Sequence, residues 1–501
     1  MRELLLGIDI GTSACKLSVF DREGNVIFDT SKPYNIYFPQ EGFVEQDPME
    51  WWDAVVNAIN EMFAKSNIRP DEIKSIGIAG QSWSCIPVDK NGNVLSNTPI
   101  WMDTRSSYIL EKIREKIDEK YIFDVSKNPL NPTYSTLKIL WFKENKPDVY
   151  KNTYKFLQSN SFIVFKLTNS FSQDLSQGYG YHFFNIEKGH FDEKAADMFG
   201  IDLELLPQIY PCHQVVGYIS KEAAKITGLK EGTPVVAGGL DAACCTLGAG
   251  VTEVGQTQEQ GGQAGGMSIC LDRPVSNPKL ILSYHVVPGR WLLQGGTVGG
   301  GSLRWFYEQF GYEEAETAKR ENKSPFAIMD EKVEKIPCGS EGLVFLPYMA
   351  GERSPIWDKN AKGIFYGISY QKTKAHFIRS IMEGCAYALR HNLEVAEDSG
   401  VKVDRLYSVG GAANSKLWCQ IKSDVTGKII EVPISDNATT LGAAILAGYG
   451  IGMLEDISKT VYKMVKTKAI YYPNFDNYKL YTKYYKQYLE IYERLKEIMN
   501  S

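Results

Sequence analysis

Leu4-Leu5-Leu6-Gly7-Ile8-Asp9-Ile10-Gly11-Thr12-Ser13 begins with a short apolar run and ends in an acid and a turn. A run of this length reads as a strand buried on both faces. An Asp within it argues against a secretory leader, whose apolar segment carries no charge. The expectation is the first strand of a cytoplasmic protein. Cys15 to Phe20 alternates, Asp21-Arg22-Glu23-Gly24-Asn25 is a second turn, and Val26-Ile27-Phe28 resumes. The opening is therefore a β-meander.

Helix signals follow at once. Asp47 reads as an N-cap, Pro48 takes the first helical position and Glu50 completes a capping box. Trp52, Val55, Ile59 and Phe63 recur on one face. Ile73 to Gly80 is then a strand that runs out into Gln81-Ser82-Trp83. Val235-Val236-Ala237 leads through Gly238-Gly239-Leu240 to Asp241 and a helix of small residues up to Gly248. A second block starts near Gly250, with Gly-rich turns at Gly261–Gly266 and at Gly295–Gly301. Residues 311–340 are charge-rich and read as an exposed helix and loop. His376 to Ser399 is a helix that Gly400 stops. The last helix, Asn477 to Met499, carries the stripe Tyr481, Tyr485, Tyr488, Tyr492. That stripe reads as docked on its own domain, with a homodimer contact as the alternative. Alternating helix and strand signals give an α/β class. With 501 residues at roughly 100–200 per domain, two large domains or three smaller ones are expected.

Composition narrows the function. Lys+Arg number 55 and Asp+Glu 60, so the net charge is 55 − 60 = −5, which gives no pull toward nucleic acid or an anionic membrane. The nine Cys form no CxxC pair, so a zinc ribbon or redox motif is not expected. The six His show no metal spacing, and no Gly-x-Ser-x-Gly elbow is present.

Four features carry chemistry. Gly11, Thr12 and Ser13 form a turn whose backbone N–H groups can reach a phosphate. Asp9 before the turn is placed to hold Mg²⁺ through water, and Lys16 after it supplies a point charge. Asp241 lies at a strand's C-terminal end, where α/β sheets bind ligands, and suits either a general base or a helix N-cap. Gly410 and Gly411, followed by Ala412 and Asn414, permit flat contact with a planar ring such as adenine. Gln81, Ser82 and Trp83, with Trp101-Met102-Asp103-Thr104-Arg105, mix amide, indole, carboxylate and guanidinium groups that suit a polyhydroxyl ligand. For Asp103 and Arg105 the plainer reading is a surface salt bridge.

Taken in this order, these stretches resemble the FGGY carbohydrate kinases, which are built on the actin/hexokinase/Hsp70 ATPase fold. Gly363 to Ile368, His376-Phe377, Ser380 to Glu383, Phe345 to Tyr348, Gly351 to Pro355, Val409 to Gln420 with Asp424, and Leu441 to Ala444 also match the family. The resemblance implies two ribonuclease-H-like domains around a central cleft. Residues 1–245 would bind the sugar and carry the first phosphate motif and the catalytic Asp; residues 246–501 would bind ATP. It implies Asp241 as the base, Asp9 as the Mg²⁺-linked acid, and Gly262, Gln263 and Gly300 beside the phosphates. Pro288 to Trp291 looks most like xylulokinases, so a ketopentose such as xylulose leads. Glycerol, gluconate or a related polyol is the alternative, and an Hsp70- or actin-like ATPase a more distant one. Three positions depart from the pattern. Ser82-Trp83 replaces Met-His, Ala242 replaces Asn, and Gly262-Gln263-Ala264-Gly265 replaces Gly-Thr-Ser-Gly.

Overall fold

The structure is a computed structural model describing residues 2–434 and 437–500. Strand Leu4–Ile10 lies antiparallel to Ala14–Phe20, which pairs with Val26–Pro33. On its other side Leu4–Ile10 runs parallel to Ile73–Gly80, then come Pro234–Val236, parallel, and Val215–Tyr218, antiparallel. The second sheet repeats this order. Gln256–Gly261 pairs antiparallel with Ala264–Leu271, and that with Trp291–Val298. On the other side Gln256–Gly261 runs parallel to Arg405–Val409, then come Ile429–Pro433, parallel, and Thr467–Tyr471, antiparallel. A three-strand meander followed by two parallel crossovers thus occurs twice. The fold is mixed α/β with two domains, each built on one seven-stranded sheet.

Strand periodicity decides what each face meets. Leu4, Leu6, Ile8 and Ile10 share a core with Trp51, Val55, Ile59 and Met62 of helix Pro48–Lys65. Asp47 caps this helix by accepting from the Met49 N–H at 2.8 Å. The expected capping box is absent. The Glu50 carboxylate accepts from the Asn35 N–H at 2.9 Å and from the Tyr37 hydroxyl instead, because the preceding chain reversal brings these donors to it.

The opposite face of the sheet carries Leu5, Gly7 and Asp9. Helix Ala438–Gly450 lies across it with backbone against backbone. A Cβ on Gly7 would stand 2.0 Å from the Thr440 carbonyl oxygen, and one on Gly77 1.9 Å from that of Ala443. Helix Asp241–Gly248 crosses the same helix equally closely. A Cβ on Gly442 would lie 1.9 Å from the Cys244 oxygen, and one on Gly248 1.8 Å from that of Ala438. The Thr440 hydroxyl donates to Ser18 Oγ at 2.9 Å, tying the helix to the first sheet.

The aromatic stripe of the last helix, Phe475–Met499, is spent within the chain. Tyr481, Tyr485, Tyr488 and Tyr492 are buried, and the Tyr348 and Tyr488 hydroxyls meet at 2.6 Å. Residues 311–340 depart from expectation. They form helices Tyr312–Glu321 and Pro325–Val333, and Glu314 is fully buried between Lys332 and Lys374. The charge run is therefore an internal ion cluster as much as a solvated face.

Gly442→Ala forces a methyl group into the Cys244 carbonyl, and overpacking of this kind typically costs 1–3 kcal/mol or more. It should lower Tm clearly in a thermal melt. Gly411→Ala, where no atom lies within 4 Å of the added carbon, should leave Tm unchanged.

Candidate active site

The first site element is assembled at the C-terminal ends of neighbouring strands. In the sheet register Asp9 stands beside Ala79, and Leu240 beside Gly80. Asp9 therefore ends one strand, and Asp241 follows another, on either side of Ile73–Gly80. Gly238 makes this possible. Its φ is +78°, and a Cβ would lie 2.0 Å from the Ile78 oxygen. Lys16 is directly opposite Asp9 in the antiparallel pair.

Burial sets the electrostatics. Asp9 is 6% exposed, and its Oδ1 has no partner. Burial pushes its pKa up to about 6, with Lys16 opposing. Asp241 is pushed up to about 7, first by burial and then by the Asp9 charge, with the Ala242 N–H opposing. Asp241 is the first residue of its helix rather than the N-cap, which is Leu240. Its carboxylate accepts from the adjacent Ala242 N–H at 2.6 Å, so the capping role proposed from sequence is not made. An orphaned buried carboxylate oxygen next to a second acid fits a water-bridged Mg²⁺, which needs few protein ligands.

The Gly11–Ser13 turn is held from three sides. The Tyr34 hydroxyl donates to the Gly11 carbonyl, Gln46 Nε2 to the Thr12 carbonyl at 2.8 Å, and Trp101 Nε1 to Thr12 Oγ1 at 2.9 Å. Gln81 is buried and gives its amide N–H to Gln46 at 2.7 Å. Its Oε1 remains without a partner. Ser82 Oγ accepts from the Tyr179 hydroxyl at 3.2 Å. Trp83 has φ +58° and packs on Tyr134 with ring centroids 4.4 Å apart. A non-glycine residue in this region is strained by about 1 kcal/mol or more. The buried Lys138 holds it, donating to the Trp83 carbonyl at 2.7 Å and to the Ile100 carbonyl at 2.8 Å.

Asp103 and Arg105 are placed differently from the expected surface pair. Both are buried. Arg105 donates to Asp103 at 2.7 Å and to Glu45 at 2.8 Å, with its guanidinium between Phe43 and Trp141. Asp103 also accepts from the Val44 N–H at 2.6 Å. The pair braces the loop, and Trp101, two residues earlier, reaches the Gly11–Ser13 turn.

The second sheet presents a cavity of about 410 Å³. Gly262, Gln263, Gly300, Gly411, Ala412 and Asn414, named separately from sequence, all line it, together with Phe326, Ala327 and Asp330. Gly410 has φ +89°, and a Cβ there would stand 3.0–3.1 Å from the backbone of Gly261 and Gly262. Gly411 faces open space, so a flat ring can approach its backbone. The Gly300 N–H donates to the Gly262 carbonyl at 2.6 Å, which joins the two Gly-rich turns. Asp424 and Gln420 do not line this cavity. Asp424 anchors the last helix by accepting from the Asn474 N–H at 2.8 Å.

Sequence reasoning missed Tyr34, Gln46, Tyr179 and Lys138, which act from other elements and carry no local motif. It also missed the 325–330 wall, whose visible signal was the Ser324-Pro325 helix start.

The comparisons agree with this geometry. The FGGY family of carbohydrate kinases, N-terminal domain, matches residues 4–248, and its C-terminal domain matches residues 266–451. The chain belongs to the FGGY family of carbohydrate kinases and is a sugar phosphotransferase with an actin/hexokinase-type ATPase fold. Among its relatives, a xylulose kinase of Staphylococcus epidermidis is 31% identical over 99% of this chain and 98% of its own. A gluconokinase of Bacillus licheniformis is 29% identical over 96% and 94%. The solved xylulose kinase from Rhodospirillum rubrum superposes with TM-score 0.90 at 26% identity, covering all of both chains.

Both acids have folded-state pKa values above those of free carboxylates, so charging them opposes folding. Below about pH 4 both states are protonated and no cost exists, and stability is lost as pH rises through the folded-state values of about 6 and 7. Asp241→Asn removes this cost and should raise Tm at pH 8 but change it little at pH 4, as read by calorimetry across pH.

Proposed function

We propose that this kinase transfers the γ-phosphoryl group of ATP to a hydroxyl of a small sugar, with xylulose the first candidate and gluconate and glycerol the next. One observation carries the mechanism: Asp241, half-buried beside Asp9, is pushed up to about 7. A base tuned near the working pH combines the ionised form with useful proton affinity. The 31% identity to a xylulose kinase supports the substrate order.

Asp241 accepts the proton of the attacking hydroxyl. The unpartnered Oε1 of Gln81 accepts a second sugar hydroxyl, and the half-buried rings of Trp83 and Trp101 cover the sugar's C–H face. Backbone N–H groups of Thr12, Ser13, Gly262 and Gln263 take the phosphates, Gly11 and Gly300 leave room for their approach, and Lys16 adds charge. Gly410 and Gly411 admit the adenine. Asp9 holds Mg²⁺ through water, and when bound there the ion offsets phosphate charge. Positioning and charge neutralisation of this kind are what phosphoryl transfer requires. Gln263 and Ala264 lack the hydroxyls usual at the second turn, and the backbone serves there. The nine free cysteines fit a reducing, cytoplasmic setting, and no helix is long and apolar enough to cross a membrane among the described residues.

A coupled ADP-release assay over xylulose, gluconate, glycerol and related polyols tests this reading. Sugar-dependent turnover is expected for at least one of them. Asp241→Ala should reduce kcat by about 10²–10⁴-fold. Wild-type kcat/KM should fall tenfold per pH unit below about 7, as Asp241 becomes protonated. Turnover that survives Asp241→Ala intact would refute the role of base.

A further inference from the structure

Loop Gly351-Glu352-Arg353-Ser354-Pro355 belongs to the nucleotide-side half of the chain, yet Arg353 reaches toward the other half. Its guanidinium carbon stands 5.9 Å from the centre of the Trp101 ring, and Trp101 in turn donates to Thr12 of the first phosphate turn. On its own side Arg353 lies against Gly296. A Cβ there would fall 2.7 Å from the guanidinium carbon, and Arg353 Nη2 is 3.5 Å from the Thr297 carbonyl oxygen. Gly296 and Thr297 belong to strand Trp291–Val298, which leads directly to Gly300 at the nucleotide cavity.

The guanidinium of Arg353 makes no direct ion pair. Among the described residues it has no carboxylate within 4.0 Å, whereas Arg105, Arg379 and Arg390 each have one. Its neighbour Glu352 attracts it but makes no ion pair with the guanidinium. One Glu352 oxygen accepts the Arg353 backbone N–H at 2.8 Å, and the other is buried without a partner. Arg353 remains solvent-accessible. The loop is fixed from behind, since the Ser354 hydroxyl donates to the Gly296 carbonyl at 3.0 Å and Asn392 Nδ2 to the Ser354 carbonyl at 3.1 Å. An anchored, unpaired guanidinium between two phosphate-facing turns is a ready oxyanion site, because its fork matches phosphate or carboxylate geometry.

We propose that Arg353 binds the terminal phosphoryl group of the nucleotide, so that the group in transit is held jointly by Arg353 and the Gly11–Ser13 turn. This deepens the proposed kinase reading and rests on it. The group that must lie between the first turn and Gly300 is the end of the polyphosphate, which is why the phosphoryl is favoured over a carboxylate on the sugar. Arg353 contributes positive charge from the second half of the chain, as Lys16 does from the first.

The test compares wild type with Arg353→Met and Arg353→Lys. The Kd values of Mg²⁺-ATP and Mg²⁺-ADP are measured by titration calorimetry, and kcat with xylulose and with gluconate. Loss of one charge-assisted contact should weaken ATP about tenfold and leave ADP unchanged. It should also lower kcat about 10²-fold with whichever substrate turns over. Arg353→Lys, which keeps the charge without the fork, should fall between. Equal losses for ATP and ADP, or no loss for either, overturn the proposal. A defect confined to gluconate also overturns it and assigns Arg353 to the substrate's carboxylate. Absence of sugar-dependent turnover in wild type would instead refute the kinase reading, while the ATP-to-ADP comparison still decides the role of Arg353.

Discussion

Helix Ala438–Gly450 rests on strands Leu4–Ile10 and Ile73–Gly80 with no side chain between the backbones at Gly7 and Gly77, and it meets helix Asp241–Gly248 in the same way at Gly442 and Gly248. These four glycines fix where the two halves of the chain meet. Gly7 and Asp9 point to the same face, so the contact that seats the helix also places Asp9 at its edge. Asp241 opens the second helix of the crossing. The separation of the two acids, and hence the repulsion that adds to burial in raising the Asp241 pKa, follows from a distance of closest approach that a single methyl group would enlarge. Close packing of this kind gathers many weak dispersion contacts, and it transmits displacement because the interior has little slack.

The repeated sheet gives each half the same backbone devices with different chemistry. The turn after the first strand is Gly11–Ser13 in one half and Gly262–Gln263 in the other. The first parallel strand runs out into Gln81-Ser82-Trp83 in one and Gly410-Gly411 in the other. In the first half that position carries an amide, a hydroxyl and an indole, which match a ligand rich in hydroxyls and C–H bonds. In the second it carries no side chain, which matches a flat ring. In the proposed reading, one fold serves two ligands by changing a few residues at equivalent strand ends.

Much of this was legible in the sequence because it is local. Asp9, Gly11, Asp241 and Gly410 each follow a strand signal and need no knowledge of distant residues. The reading of Asp103 and Arg105 as an exposed pair failed because their partners, Phe43, Glu45 and Trp141, come from segments remote in sequence. Gln46 and Lys138 were invisible for the same reason, since their work is to donate to the carbonyls of Thr12, Trp83 and Ile100. Residues 325–330 were read as surface because charge patterning reports neighbours along the chain and not the ion cluster around Glu314. What the sequence hides is therefore mostly hydrogen bonding and ion pairing between elements, while strand ends and glycine turns are plain in it.

The seating of helix Ala438–Gly450 also orders biosynthesis. The strands of the first sheet leave the ribosome long before the helix that covers one of their faces. Until residue 450 has emerged, Leu5, Gly77 and Ala79 line an uncovered apolar surface with backbone laid bare at its glycines. Domains commonly fold as units from the N-terminus during synthesis, but this first half lacks its cover until translation is nearly complete. The nascent chain must therefore pass through a long interval in which its first half is exposed to chaperones and to other nascent chains.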